Sequence, residues 1–445
     1  MTGRSILLTG VAPRPHSGES TAINKARMRR YMALLFGLAV LVRVVYFFAL
    51  LPFEPNWSYE GIQRNDYLTI AKHVVNGEGY SIKALLTYYN VGHLVPTAAR
   101  TPVPVLVFAA IVALVGAHWY YPILILTWCC SGIVAAAAYW IALRTSGREW
   151  LALWTGVVFA CYGSEMFVTT TYAVASEPLF GALISVYLVL LIRAVDRRSV
   201  SLAAATGLTL GLATLTRPTV LFLPVVSLAW IFFQLRLRGI AMAAVLVVAC
   251  ALPQVPWVVR NYRVFGEPVV TTTLGGFNLY RHNGMIEEGK YHTGYTHAEL
   301  EPKVRRLAAA TGRPLESFSE SELNALLYAE GKRIVRTYPV RYLKLSALRT
   351  VWIWYNENSG KGLYAVQNFL IYLLALVGLF YVLRSREPLY FLLLAHIAYF
   401  VAIHAAINVQ YRFICPMMPY MILLAGLPVY AWWTARTRRA EVATG

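Results

Sequence analysis

The chain has 445 residues, of which 58% are hydrophobic and only 14% are charged, whereas about a quarter of the residues of an ordinary soluble domain are charged. Its mean hydropathy of +0.54 excludes a typical water-soluble protein. The formal net charge is +19, but the basic residues lie in short clusters at the ends of apolar runs, where membrane proteins carry their orientation signals. This distribution argues against nucleic acid as a partner.

Apolar runs of about 18 to 22 residues recur along the sequence, and each is long enough to cross a hydrocarbon core of roughly 30 Å as a helix. Membrane-crossing strands would be about half as long and would alternate in polarity. The sequence therefore predicts an all-α polytopic membrane protein. Full spans are expected at residues 31–51, 121–143, 150–172, 177–195, 200–216, 218–235, 239–257, 363–383, 388–407 and 412–433.

The N-terminal residues 1–30 are polar and end with a cluster that contains Arg27, Arg29 and Arg30. No small-x-small cleavage site follows the first apolar run, so this run is expected to stay in place as a membrane anchor. Basic clusters also lie at the ends of later spans. The rule that such clusters face the cytoplasm predicts cytoplasmic tails at 1–30 and at 436–445.

Two weaker apolar segments, 102–117 and 341–356, interrupt the series of full spans. Two prolines near its start make the first segment a poor complete span, and three basic residues make the second amphipathic. All the basic clusters can be cytoplasmic only if neither segment crosses the membrane. The long polar stretches 52–101 and 258–340 then face the same, extracytoplasmic side.

These expectations divide the chain into modules. Residues 31–257 form a transmembrane module that carries the extracytoplasmic loop 52–101, and residues 258–340 form an extracytoplasmic subdomain. An interfacial helix and the C-terminal transmembrane helices follow at 341–435. We expect a bundle of about 10–12 transmembrane or interfacial helices in total.

The subdomain at 258–340 carries local signals of its own. Residues 298–311 and 319–337 show helical spacing, and Ser319 with Glu322 forms a candidate capping box at the start of the second helix. The predicted subdomain is therefore partly helical rather than a plain linker.

A short β-type stretch at 269–273 leads to Gly275 and Gly276, and two adjacent glycines let the backbone approach a ligand closely. The alternative is a plain turn that leads into a surface loop. The polar residues that follow are candidates for substrate contacts: Asn278, Arg281 and Asn283.

Two acidic residues and one basic residue lie where the chain enters or leaves the spans on the outer side. Asp66 and Tyr67 come after the first span, and Arg100 lies just before a Pro-x-Pro return to the membrane. Glu177 precedes a proline that suits the first turn of a helix. Together, two carboxylates and an arginine at one bilayer level are able to deprotonate a hydroxyl group and hold a phosphate. Taken singly, each could instead be a solvated loop residue, a snorkelling arginine or a helix cap.

Several short motifs accompany these residues in a fixed order: Ser176-Glu177-Pro178-Leu179-Phe180, Thr216-Arg217-Pro218, Pro256-Trp257-Val258-Val259-Arg260-Asn261-Tyr262 and Gln410-Tyr411-Arg412-Phe413. With the acidic residue after the first span, they resemble the bacterial GT-C glycosyltransferases. More narrowly, they are similar to the branch related to dolichyl-phosphate-mannose protein mannosyltransferases and to aminoarabinose transferases of lipid A. The resemblance runs from about residue 31 to residue 433.

The resemblance implies an inverting transfer of a sugar from a polyprenyl-phosphate donor to an acceptor hydroxyl at the extracytoplasmic face of the inner or plasma membrane. Asp66 matches the family's catalytic base or acceptor-orienting acid, Arg100 the residue that contacts the lipid phosphate, and Glu177 a second acidic position on the rim of the active site. Some relatives carry a metal-binding carboxylate directly before the basic residue, where this chain has Ala99. A divalent metal is therefore unsupported, and no other cofactor is expected.

The departing phosphate would need fixed cations to stabilise its growing charge. After Arg100, the favoured donor-phosphate ligands are Arg260 and then Arg412, although any two of these arginines could instead anchor the chain at the interface. Besides the three residues that follow the glycine pair, the predicted substrate contacts are Tyr67 and Arg263.

Two other classes of function compete with a glycosyltransferase: a secondary transporter or flippase of a lipid-linked or polar substrate, and a non-catalytic membrane scaffold. A transporter is expected to place ionisable residues near the bilayer midplane on broken helices, whereas Asp66 and Glu177 lie at the outer surface. The sequence does not identify the sugar, and the acceptor stays open among a glycan, a lipid and a protein.

Overall fold

The computed structural model describes residues 25–49, 63, 65–171, 174–354 and 363–444. The predicted N-terminal tail up to residue 24 and the start of the first loop at 50–62 lie outside this part of the chain. Within the described residues, the regular structure is helical except for one two-stranded sheet.

Seven helical segments of the described residues are long and apolar enough to cross a membrane, or eight if one bent pair counts as a single span. The protein is an all-α polytopic membrane protein, as its sequence predicts. The buried share is 72% in Tyr120–Ser146 and 83% in Arg412–Thr437, but only 22% in Lys25–Ala49 and 28% in Tyr364–Ser385. The first two segments therefore lie in the centre of the bundle, and the last two expose most of their apolar surface at its edge.

The N-terminal membrane module contains α1 (Lys25–Ala49), α2 (Asp66–Val75), α3 (Pro102–Val115), α4 (Tyr120–Ser146), α5 (Glu149–Ala160), α6 (Gly163–Thr171), α7 (Glu177–Arg197), α8 (Val200–Thr214), α9 (Leu223–Leu235), α10 (Ile240–Ala251) and α11 (Gln254–Phe265). An antiparallel hairpin of β1 (Ser81–Leu85) and β2 (Tyr89–Pro96) stands between α2 and α3. This hairpin is not among the predicted elements.

A polar subdomain follows, which consists of α12 (Gly275–Asn283), α13 (His297–Ala310) and α14 (Glu320–Thr337). The C-terminal part contains α15 (Pro339–Trp352), α16 (Leu363–Ser385), α17 (Pro388–Ala406) and α18 (Met418–Thr444), and a 3₁₀ segment, Tyr411–Met417, leads into α18.

The predicted span at 150–172 is bent by 44° between α5 and α6. A break inside a buried helix leaves backbone groups without partners, and polar side chains of neighbouring helices supply them here. Gln367 Oε1 accepts a hydrogen bond from Gly163 N at 2.8 Å, and Arg43 Nη1 donates to Ala160 O at 2.7 Å. These contacts explain how the chain bends within the bundle.

The polar subdomain confirms the two predicted helices and corrects the predicted strand. Glu322 N donates to Ser319 Oγ while the Glu322 carboxylate accepts from Ser319 N, which is the predicted capping box at the start of α14. The prediction of a β-type stretch at 269–273 is wrong, because this segment is irregular in the structure. Its backbone is used for a different contact, since Thr273 N donates to Ala98 O of the first loop at 3.1 Å.

The second glycine of the pair at the start of α12, Gly276, serves helix packing. A Cβ atom on Gly276 would lie 2.0 Å from Asn324 O and 2.6 Å from Tyr328 N, and Gly276 N donates to Asn324 Oδ1 at 2.7 Å. The missing side chain therefore lets α12 pack directly on α14. The predicted close approach of this backbone to a ligand is replaced by a close approach to a helix.

Both weak apolar segments form short helices. The helices α3 and α15 have 14 residues each, which gives about 21 Å at 1.5 Å per residue against a hydrocarbon core of roughly 30 Å. On α15, Val340, Leu343 and Val351 are exposed whereas Arg349 is buried. This one-sided pattern suits a helix that lies at the membrane surface.

We expect the hairpin and the polar subdomain to face the outside of the cell, and the basic turn between α9 and α10 to face the cytoplasm. Single cysteines at the exposed positions Lys83, Thr293 and Arg238 test this in a variant that lacks the native cysteines. A membrane-impermeant maleimide should label Lys83→Cys and Thr293→Cys in intact cells, and Arg238→Cys only after permeabilisation. The opposite pattern would contradict the orientation.

Candidate active site

Asp66 and Arg100 form an ion pair between the start of α2 and the end of the first loop. The N-cap residue of α2, Asn65, accepts a hydrogen bond from Tyr67 N at 2.9 Å and so fixes the first turn of the helix. Arg100 donates to Asp66 Oδ2 from Nη2 at 2.5 Å and from Nε at 3.2 Å. The Arg100 side chain is 23% exposed and the Asp66 side chain is 26% exposed. The pair is therefore accessible from outside the protein.

The surroundings of Arg100 favour its charged form. Burial opposes the charge, but the Asp66 carboxylate together with Tyr67 and Tyr88 outweighs burial and raises the pKa of Arg100 above its ordinary value. The guanidinium carbon also lies 5.4 Å from the centre of the Tyr67 ring, within the range of a cation–π interaction. An arriving phosphate would therefore meet an existing cation and would compete with Asp66 for it.

Glu177 lies between two arginines at the start of α7. Its Oε1 is 2.7 Å from Arg217 Nη1 and 3.0 Å from Arg412 Nε, and its side chain is only 7% exposed. Arg217 Nη1 also donates to Ser176 Oγ at 3.2 Å. Two guanidinium groups thus face one carboxylate, and guanidinium groups are suited to bind an anionic ligand such as a phosphate.

The two clusters meet where the start of α3 contacts the end of α8. Thr101 Oγ1 donates to Thr216 O at 2.7 Å. Arg100 directly precedes Thr101 and Arg217 directly follows Thr216, so the two arginines lie beside the same hydrogen bond. The chain segments that carry the two clusters, Asp66 with Arg100 and Glu177 with Arg217 and Arg412, are therefore neighbours in the structure.

Arg260 supports the first loop. Its Nη1 donates to Thr97 O at 2.8 Å and its Nη2 donates to Tyr80 O at 2.9 Å, while its guanidinium carbon lies 5.3 Å from the ring centre of Trp257. These contacts favour a role in shaping the loop that ends at Arg100. The predicted contact between Arg260 and the donor phosphate stays a prediction.

The predicted substrate contacts on α12 differ in their surroundings. Arg281 Nε donates to Tyr295 O at 3.0 Å. Asn283 is fully buried, and its Oδ1 accepts from Arg349 Nη1 at 3.0 Å, which favours a supporting role over a substrate contact. Asn278 is half-buried on the same helix.

Arg263 is exposed on α11. Among the described residues, neither Arg263 nor Asn278 makes a side-chain hydrogen bond to the two clusters. Their contacts with substrate stay predictions.

Two residues of this region are missed by the sequence patterns. Arg217 belongs to the motif Thr216-Arg217-Pro218, but no local feature links it to Glu177, which is far away in the chain. Glu320 is 2% exposed and accepts a hydrogen bond from Ala98 N at 2.7 Å. In the sequence it looks like an ordinary acid in the first turn of a helix.

Among the described residues, the acids of the site are paired with arginines rather than grouped around a metal position. No group of three His, Cys, Asp or Glu side chains that could hold a metal ion occurs in the described part of the chain. Asp66 and Glu177 are each engaged by arginine, and Ala99, which stands where some relatives have a metal-binding carboxylate, is buried.

The fold matches solved structures of the oligosaccharyltransferase AglB from Archaeoglobus fulgidus. The complex with an inhibitory peptide and a dolichol-phosphate is 15% identical in sequence, with a TM-score of 0.57, and the match covers 93% of this chain and 52% of that chain. The structure tethered to an acceptor peptide with the NVT sequon gives 12% identity, a TM-score of 0.55 and coverages of 90% and 50%. The complex with Zn and sulfate gives 15% identity and a TM-score of 0.53, and the match covers 92% of this chain and 51% of that chain.

This chain therefore spans about half the length of the oligosaccharyltransferase chains that it matches. At this level of identity the likeness shows a shared fold alone. No family model and no curated protein matches the sequence.

Glu177 should contribute more to stability than Asp66 because it is the buried partner of two arginines. We expect Glu177→Gln to lower the free energy of unfolding by roughly 3 kcal/mol. Asp66→Asn, at a more exposed pair, should cost about 1 kcal/mol or less. Thermal unfolding in detergent measures both. The double variant Glu177→Gln/Arg217→Gln should recover part of the loss, and wild-type stability of Glu177→Gln alone would contradict the buried cluster.

Proposed function

We propose that this protein is a glycosyltransferase that moves a sugar from a polyprenyl-phosphate donor to an acceptor hydroxyl at the extracytoplasmic face of the membrane. The observation that carries the proposal is the junction of two carboxylate–arginine clusters at the ends of apolar helices, Asp66 with Arg100 and Glu177 with Arg217 and Arg412. The fold supports the same donor class, since it is shared with an oligosaccharyltransferase solved with a dolichol-phosphate.

The donor phosphate is proposed to bind at the arginines of this junction. A polyprenyl-phosphate sugar holds its lipid tail in the bilayer and its phosphate at the surface, where Arg100, Arg217 and Arg412 would supply fixed cations. The negative charge on the phosphate grows as its bond to the sugar breaks. Preorganised arginines therefore stabilise the transition state more than the bound donor, which is the requirement for catalysis.

Asp66 is the proposed general base. It takes the proton of the acceptor hydroxyl while the hydroxyl oxygen attacks the anomeric carbon from the side opposite the phosphate. The new bond between that oxygen and the anomeric carbon forms, and the bond from the anomeric carbon to the phosphate oxygen breaks. Polyprenyl phosphate leaves with the bonding electron pair. One displacement of this kind inverts the anomeric configuration.

Asp66 and the donor phosphate would share Arg100. In the structure, both Nη2 and Nε of Arg100 are directed to a single oxygen, Asp66 Oδ2. A phosphate is an equally good partner for a guanidinium group, so the donor would draw Arg100 away from Asp66. The freed carboxylate would then accept the proton of the acceptor. This exchange predicts that the donor binds before the acceptor.

Glu177 is proposed to hold arginines rather than to act as a base. Both Arg217 and Arg412 approach the same oxygen, Oε1, and the side chain is 7% exposed against 26% for Asp66. A carboxylate that is engaged twice and closed to solvent is poorly placed to receive a proton from an incoming acceptor. Its pairing instead keeps two cations at the phosphate position.

The acceptor is proposed to be a hydroxyl compound that reaches Asp66 from the aqueous side, and a glycan, a lipid or a protein all satisfy this requirement. The acceptor peptide in the oligosaccharyltransferase structure belongs to that protein. Since this chain spans only about half of it, the peptide does not identify the acceptor here.

A transporter finds its best support in Arg43 and Glu165, which are 0% and 5% exposed within the helical bundle. Buried ionisable residues in membranes often line transport paths. Arg43 Nη1, however, donates to Ala39 O at 3.0 Å and to Ala160 O at 2.7 Å, the second of which lies at the bend after α5. These contacts stabilise the bent helix, so a glycosyltransferase is favoured.

Asp66→Asn should lower turnover about 10²–10⁴-fold, the usual contribution of a general base, because it removes the proton acceptor and keeps the size of the side chain. Sugar transfer at matched expression measures the loss, and donor binding should persist. Asp196→Asn is a matched control, since Asp196 pairs with Arg144 at 2.6 Å and is 33% exposed. Near-normal turnover of Asp66→Asn would refute the base, and a larger loss in Glu177→Gln would move it to Glu177.

Arg100→Ala should raise the KM for the donor by about tenfold or more, since a charge-assisted hydrogen bond contributes roughly 1.5–3 kcal/mol. Arg100→Lys should also be impaired, because lysine cannot bind phosphate in the bidentate manner of arginine. Steady-state kinetics with varied donor measures both effects, and Arg144→Ala is the control. A donor KM unchanged by Arg100→Ala would remove Arg100 from the donor site.

A further inference from the structure

Glu320 is a buried carboxylate in the polar subdomain that contacts the first loop. It is the first residue of α14 and is 2% exposed. Its Oε2 accepts from Leu86 N at 3.2 Å and from Thr97 Oγ1 at 2.7 Å. Its Oε1 accepts from Ala98 N at 2.7 Å and from Thr273 Oγ1 at 2.5 Å. Three of these four donors belong to the first loop.

The residues that Glu320 holds lead directly to Arg100. Thr97 N donates to Tyr80 O at 3.1 Å, and Ala98 O accepts from Thr273 N at 3.1 Å. Ala99 N donates to Thr97 Oγ1 at 3.0 Å, the same hydroxyl that donates to Glu320. The backbone before Arg100 is thus fixed by a network with the Glu320 carboxylate at its centre.

The tip of the β-hairpin depends on the same carboxylate. Tyr88 N donates to Leu85 O at 3.1 Å and closes a turn in which Leu86 and Thr87 have φ values of 53° and 64°. Such a turn prefers Asn and Gly, and a β-branched residue with positive φ is strained. Leu86 N bonds to Glu320, and Thr87 Oγ1 accepts from Arg100 Nη2 at 3.4 Å, so the network also holds this strained turn.

We propose that Glu320 is a positioning residue, which sets the Arg100 guanidinium beside Asp66 by fixing residues 97–98 and the hairpin tip. The inference rests on the proposed donor-phosphate site. The polar subdomain would then act on donor binding through one buried side chain. Docking of α14 on the first loop and formation of the phosphate site would be a single event.

The geometry of Glu320 predicts that glutamine cannot replace it. Each carboxylate oxygen accepts one backbone N–H, from Leu86 on Oε2 and from Ala98 on Oε1. A glutamine amide at this position would place its NH₂ group against one of these N–H donors in either of its two orientations. A carboxylate accepts on both oxygens and an amide on only one, so Glu320→Gln should release the loop although it keeps the size of the side chain.

Glu322 is a matched control on the same helix. It is exposed and closes the capping box, with its carboxylate accepting from Ser319 N at 2.7 Å and from Arg313 Nη1 at 3.0 Å. None of the hydrogen bonds of Glu322 in the described residues goes to the first loop. Glu322→Gln therefore perturbs the start of α14 and leaves the contacts of Arg100 in place.

Two measurements on the full-length protein in detergent test the proposal. Hydrogen–deuterium exchange of residues 95–103 should rise in Glu320→Gln and stay at the wild-type rate in Glu322→Gln. The donor KM should rise about tenfold in Glu320→Gln, because a displaced Arg100 would lose one charge-assisted hydrogen bond to the donor phosphate. The change in kcat should be smaller. The double variant Glu320→Gln/Arg100→Ala should be no worse than Arg100→Ala alone, because both changes remove the same contact.

Wild-type exchange and donor KM in Glu320→Gln, or additive losses in the double variant, would overturn the proposal. If Glu320→Gln does not fold, Thr273→Val removes one of the four donors and should give a smaller change in the same direction. Failure of the proposed function looks different. No sugar transfer, and so no donor KM, would then be measured for the wild-type protein, while exchange at residues 95–103 would still report whether Glu320 holds the loop.

Discussion

The pairing of carboxylates with arginines is the constraint on which the rest of the structure depends. Removing an ion from water without a partner costs several kcal/mol, so the half-buried Asp66 and the buried Glu177 require the guanidinium groups beside them. The partners come from different elements, and each pair therefore fixes how those elements meet. The same arginines provide cations for a phosphate, so the groups that stabilise the fold are also those proposed to bind the donor.

Features with a local cause were predictable from the sequence. The length of the apolar runs identifies the membrane helices, and the capping box of Ser319 and Glu322 locates the start of α14. The Pro-x-Pro motif after the first loop marks the start of α3 and places Arg100 just before this helix. These inferences need only a few neighbouring residues, which is why they could be made without the fold.

Features created by contacts between distant segments were not predictable in this way. The turn at Leu86 and Thr87 lacks the Asn and Gly residues that are typical of such turns. Hydrogen bonds with another subdomain stabilise it instead. Glu320 has the sequence environment of an ordinary first-turn acid, and only the folded chain shows that it accepts from the first loop. Gly276 looks like a ligand-approach residue until α14 is seen to pack on it.

The most direct test of the account is the reaction itself, with purified protein in proteoliposomes and a panel of polyprenyl-phosphate sugars. Mass analysis of lipids and glycans should detect release of polyprenyl phosphate together with a glycosylated acceptor, and the new glycosidic bond should have the anomeric configuration opposite to that of the donor. Movement of an intact lipid-linked sugar between the leaflets, with no donor consumed for any member of the panel, would contradict the account and identify a flippase instead.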